Sequence, residues 1–86
     1  MRVLFPSPLH SYTRGLAADE GQGATIGELL QFLDARYPGI RFRMIDEQDR
    51  IRQHIRFFVN GEMASDLAHP LTANDEVMIV AALSGG

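Results

Sequence analysis

The sequence has no cysteine and no lysine among its 86 residues. Without cysteine there is no disulfide, no thiolate metal ligand and no thiol nucleophile, so any sulfur or acyl chemistry must use another group of the chain. The same absence agrees with a reducing compartment. Without lysine, all eight basic side chains are arginine. An activated acyl group on this chain would therefore find no side-chain amine on its own siblings, only the α-amine of Met1, although a codon bias toward arginine gives the same pattern. No stretch approaches the roughly 20 apolar residues of a membrane helix. Pro6 and Pro8 interrupt the opening run before a signal-peptide core could form, so a cytoplasmic protein with no membrane partner is expected. Cationic surface is also scarce: the net charge of −3 and pI near 5.4 argue against nucleic acid as a partner.

At this length the chain supports one domain with one modest core, which excludes a multidomain enzyme. His10, His54 and His69 lack metal-ligand spacing, and no catalytic set can be assembled from sequence, so neither a metal site nor a catalytic residue is expected.

What is present is a regular alternation of elements. Arg2-Val3-Leu4-Phe5 reads as a first strand ended by Pro6-Ser7-Pro8, and the Gly-rich stretch from Leu9 to Gly23 reads as a loop with a weaker second strand. Thr25 and Glu28 have capping-box spacing, each satisfying a backbone N–H at a helix start. Ile26, Leu29, Leu30, Leu33 and Tyr37 then recur at helical spacing until Pro38-Gly39. Ile40 to Gln53 carries charges of both signs and reads as a short helical turn and a solvated loop. His54 to Val59 alternates, Asn60-Gly61 signals a tight hairpin, Glu62-Met63-Ala64 returns briefly, and Glu76 to Ala81 forms a closing strand. Strands before and after one long helix predict an α+β chain with a mixed sheet packed on one main helix, the β-grasp or ubiquitin-like layout. Phe57 and Phe58 cannot both face one core. Phe58 is the candidate for a partner interface, together with Leu83; packing beneath the Arg41–Gln53 segment is the alternative.

Directly after the closing strand stands Ala82-Leu83-Ser84-Gly85-Gly86. Glycine has no Cβ, so two in succession form a thin peptide able to enter a narrow active site. The expected division is a β-grasp domain over residues 1–82 and a flexible tail over 83–86. Leu83, Ser84 and Gly85 would thread, and the Gly86 carboxylate would react.

Asn74-Asp75-Glu76-Val77-Met78-Ile79-Val80 followed by Ser84-Gly85-Gly86 resembles the closing block of the MoaD/ThiS family of sulfur carriers. Thr25-Ile26-Gly27-Glu28-Leu29-Leu30, Tyr37-Pro38-Gly39-Ile40 and Phe58-Val59-Asn60-Gly61-Glu62 resemble it upstream, in the same order. The Pro6–Gly15 segment and the Arg41–His54 insert look most like carriers paired with pyridoxal-phosphate (PLP) dependent cysteine synthases. Asn74 stands where the family usually has glycine, a change asparagine tolerates through left-handed backbone angles. Ala81-Ala82-Leu83 replaces a proline-containing approach to the tail.

The resemblance implies that an E1-like adenylating enzyme uses ATP to activate the Gly86 carboxylate. A sulfurtransferase or other sulfur donor then displaces AMP to leave a thiocarboxylate, and a PLP-dependent synthase takes the sulfur for cysteine or a related metabolite. A JAMM-type metalloprotease trims some relatives beyond Gly-Gly. The chain itself would be a carrier and not an enzyme, and ATP and PLP would belong to its partners. Two alternatives share the resemblance: the small subunit of a molybdopterin synthase, and a ubiquitin-like modifier or interaction module with no sulfur role.

Overall fold

The alternation that reads as strands becomes a single five-stranded sheet in the computed structural model, which describes residues 1–82. The strands are β1 (Arg2–Leu4), β2 (Ala18–Glu20), β3 (Ile55–Val59), β4 (Glu62–Ala64) and β5 (Glu76–Ala81), and the helices are α1 (Ile26–Arg36) and α2 (Ile40–Met44). The strand order is β2-β1-β5-β3-β4. β1 runs parallel to β5 and every other pairing is antiparallel, so the sheet is mixed. This is the expected β-grasp, with α1 as its main helix.

Each element forms for a local reason. The Thr25 side chain accepts the Glu28 N–H at 3.2 Å, and the Glu28 carboxylate reaches back to the Ala24 N–H at 3.0 Å, so two donors at the start of α1 are satisfied. Ile26, Leu29, Leu30 and Leu33 present one fully buried stripe to the sheet. At the hairpin, Asn60 (φ 51°) and Gly61 (φ 87°) both take the left-handed backbone that a two-residue turn requires. Facing the α1 stripe are Val3, Ile55, Phe57, Val77 and Ile79, the inward members of β1, β3 and β5.

Two expectations need correction. The segment after Tyr37 is not simply solvated: Ile40, Met44 and Ile45 are fully buried in the same core. Gly39 turns the chain with φ 92°, and the Asp34 carboxylate accepts the Gly39 and Arg41 N–H groups, so α2 folds back onto the end of α1. Ile40 and Met44 lie at i, i+4 on its inner side while Arg41 and Arg43 point away, which is why charge dominates this stretch. Secondly, Asn74 does not use a left-handed backbone, for the positive-φ residues other than glycine are Arg14, Asp49 and Asn60. Glycine is not needed at position 74 in this chain.

A polar tie closes the edge of the sheet against α1. The Tyr37 hydroxyl donates to the Asp19 carboxylate, which also pairs with Arg36 (Nε to Oδ2 3.1 Å). The tyrosine hydrogen bond is the main reason the Asp19 carboxyl lies below its ordinary range, with help from the Glu20 N–H and Arg36. Burial, then Asp19 itself, push Tyr37 upward. The lowered carboxyl contributes stability above the usual aspartate value of about 3.9 and loses it as pH falls. The raised phenol contributes fully below about 10 and loses it as pH rises through its folded value. We expect Tyr37→Phe to cost about 1 kcal/mol at neutral pH. It should also flatten both the acid and the alkaline limbs of Tm against pH; a variant whose profile overlays the wild type would refute the tie.

Candidate docking face and tail root

Register decides what the outer face of the sheet carries. Leu4 lies opposite both Ala18 and Met78, Met78 opposite Phe58, and Phe58 opposite Met63. Directly opposed residues project to the same side of a sheet. Ala18, Leu4, Met78, Phe58 and Met63 therefore form one apolar row across all five strands, on the face turned away from α1. Met63 is 56% exposed and Met78 41%, while Leu4 and Phe58 are half-buried. The next row toward the chain end pairs Arg56 with Val80, and the row on the other side is Glu20, Arg2 and Glu76. An exposed apolar strip rimmed by charge is the composition of an interaction surface. A shallow groove of about 270 Å³, lined by Ile51, Arg56, Met63, Ala64 and Ser65, continues it past the edge strand.

This register answers the question left open at Phe57 and Phe58. Phe57 is fully buried among the residues that include Met44 and Ile45, and Phe58 belongs to the opposite face.

The position of β5 is locked at its start. The Asn60 side chain accepts the Glu76 N–H at 2.9 Å and donates to the Asp75 carboxylate at 2.8 Å, and that carboxylate in turn accepts the Thr72 N–H at 2.8 Å. The Thr72 hydrogen bond, followed by that of Asn60, holds the Asp75 carboxyl below its ordinary range. At the far end the Ala82 N–H donates to the His54 carbonyl at 2.8 Å, extending the pairing of Ile55 with Ala81. The chain thus leaves the sheet beside the first residues of β3. Leu83, Ser84, Gly85 and Gly86, the expected threading and reactive residues, lie outside the described residues.

Beside this exit, Phe42, Arg43, Arg52 and His54 line a second groove of about 230 Å³. The Arg52 guanidinium lies 4.6 Å from the Phe42 ring centroid and its Nε donates to the Phe42 carbonyl at 2.7 Å. Arg56 donates to the carbonyls of Gln53 and Ile55 at 2.9 and 2.7 Å. Sequence reasoning missed this grouping because the same stretch carries Asp46, Glu47 and Asp49, which average the charge away. His10 is elsewhere, bonded through Nε2 to the Phe5 carbonyl. Among the described residues, no three metal-ligating side chains gather in a way that could hold an ion. Among the same residues no helix is long and apolar enough to cross a membrane.

The ThiS family model matches residues 3–86. The sulfur carrier protein CysO of Mycobacterium tuberculosis is 29% identical over 89 residues, covering 98% of this chain and 96% of that protein. Small archaeal modifier protein 1 of Haloferax volcanii is 30% identical over 74 residues, covering 86% and 84%. Among solved structures, a chain of the Amycolatopsis orientalis BexX/CysO complex superposes with a TM-score of 0.90 at 28% identity, covering 99% of this chain and 98% of that one.

The two faces make a direct prediction. Phe57→Ala should cost about 3 to 5 kcal/mol of unfolding free energy, whereas Phe58→Ala, on the partly exposed face, should cost less than about 2 kcal/mol. Denaturant titration of both variants tests this, and equal losses would contradict the assigned register.

Proposed function

The chain belongs to the ThiS family, and on that premise we propose that it is a sulfur carrier whose Gly86 carboxylate is converted to a thiocarboxylate. The supporting observation is the match of that family's model over nearly the whole chain, through the Gly-Gly segment. The absence of cysteine gives the reading chemical sense, because sulfur held on a terminal acyl group needs no thiol from the carrier. An adenylating partner joins the carboxylate oxygen to the α-phosphorus of ATP and releases pyrophosphate. A sulfur nucleophile then attacks the acyl carbon and AMP leaves with the bonding pair. The product sulfur is anionic at neutral pH, as thiolates are, and so is the atom that the next enzyme receives.

On this reading the chain's own residues position and do not catalyse. β5 aims the tail, Leu83, Ser84 and Gly85 form the stem that threads, and the outer row around Phe58 rests against the adenylating enzyme. Receipt of the sulfur by a PLP-dependent synthase, making cysteine or a related metabolite, is part of the same proposal; the resemblance of the Pro6–Gly15 and Arg41–His54 segments to carriers paired with such synthases supports it. The second reading, a protein modifier, is favoured by likeness to small archaeal modifier protein 1. It predicts isopeptide bonds between Gly86 and lysines of other proteins.

The test is intact mass and fragmentation of the protein isolated from its host, or after incubation with ATP, sulfide and the host's adenylating enzyme. Exchange of one Gly86 carboxylate oxygen for sulfur is expected; an unaltered carboxylate under both conditions would overturn the carrier reading. Phe58→Ala should weaken binding to the adenylating enzyme roughly tenfold without loss of fold. Unchanged affinity would remove Phe58 from the interface.

A further inference from the structure

The charges of this acidic chain are sorted along the sheet. Among the described residues, three ion pairs occupy Arg36, Arg41 and Arg50, with Asp19, Asp49 and Asp46 respectively. The other five arginines have no carboxylate within ion-pair distance among the described residues: Arg14 lies over the Tyr37 ring and Arg2 at the far end of the sheet, whereas Arg43, Arg52 and Arg56 lie by the start of β3, where Ala82 leaves the sheet. Nothing in the fold requires Arg43: it is exposed on the outer side of α2, away from the buried Ile40 and Met44. The nearby acids Asp46 and Asp49 are already engaged by Arg50 and Arg41, leaving Glu47 as the remaining acid of that loop. The opposite end of the sheet carries Glu20, Glu62, Asp75 and Glu76 against Arg2 alone.

From this placement we infer that Arg43, Arg52 and Arg56 form a cationic collar at the tail root that docks on an acidic rim around the tail-accepting channel of the adenylating enzyme. The inference rests on the carrier reading and names the partner's surface chemistry. A chain of net charge −3 approaching an acidic protein surface is repelled in most orientations. Only the collar end is attracted, so encounter presents the tail first. Arginine suits the role because its planar fork matches carboxylate oxygens and its charge is permanent. Phe42, stacked against Arg52, holds one guanidinium in place before binding.

The experiment uses the full chain, the host's adenylating enzyme, ATP and sulfide as the nucleophile that displaces AMP, with AMP release measured against carrier concentration at low and high salt. Arg43→Gln and Gln31→Glu each make the net charge more negative by one unit, but Gln31 is an exposed residue of α1, which carries none of the three collar arginines. Arg43→Gln should raise KM for the carrier about threefold at low salt with kcat unchanged, converging on the wild type as salt screens the contact. Gln31→Glu should behave as the wild type. Equal effects of the two substitutions, or a wild-type KM indifferent to salt, would overturn the collar while leaving the carrier reading intact. Absence of wild-type AMP release would overturn the carrier reading and the collar with it. Competition by inorganic phosphate at constant ionic strength, lost in Arg43→Gln, would assign the cluster to a small anion and overturn docking.

Discussion

The central position of β5 is the constraint on which the rest of this structure depends. It is paired on both sides, parallel to β1 and antiparallel to β3, and no other strand contributes to both halves of the sheet. Because side chains alternate along a strand, slipping β5 by one residue would turn Val77 and Ile79 outward and bring Met78 and Val80 into the core. The same slip would break the apolar row at its middle and move the point where the chain leaves the sheet. Core, outer face and tail exit are thus three consequences of one register. The Asn60 side chain, bridging the hairpin to Asp75 and Glu76, specifies that register at one end.

Much of this was legible in the residues because the signals were local. Glu76–Ala81 alternates cleanly, Asn60-Gly61 admits little but a tight turn, and Thr25 with Glu28 declares a helix start. The bounds of β4 and β5 followed from those patterns and those of β1 and β3 to within one residue, whereas β2 was placed only within the Leu9–Gly23 stretch; the resemblance to sulfur carriers followed from the order of the motifs. What stayed hidden was whatever depends on residues meeting from distant parts of the chain. Tyr37 reads as the last apolar residue of the helical stripe, and its hydroxyl bond to Asp19 exists only because β2 lies beside the end of α1. The five residues of α2 are too few for periodicity to outweigh two arginines, so its buried Ile40 and Met44 were read as part of a solvated stretch.

The candidate site divides along the same line. Alternation requires that one of Phe57 and Phe58 face outward, and it cannot say which; burial and register choose Phe58 and supply its neighbours Met63 and Met78. Those methionines sit on separate strands with nothing in the sequence to join them. The collar is harder still to foresee, since Arg43 lies on a helix, Arg52 in a loop and Arg56 on a strand, interspersed with acids that engage other arginines. A charge count along the chain cancels what the fold separates in space.

On the carrier reading, the sorted surface solves a problem specific to a protein whose reactive group stands on a tail. An enzyme can enclose its chemistry in a cleft, whereas this chain must deliver a carboxylate into a cleft made by another protein. The three features suited to that task act at different ranges. Charge acts over about 10 Å at ordinary ionic strength and can orient the approach before contact. The apolar row acts only once water is displaced from between two surfaces, so it holds the complex after orientation has been achieved. Threading, which extends a chain and costs conformational freedom, comes last, when docking has already placed the tail at its entrance. Placing the cations beside the exit of β5 and the apolar row one step behind it on the same strand gives these stages a spatial order. That order would be lost if the arginines were spread evenly over the surface, even with the same net charge.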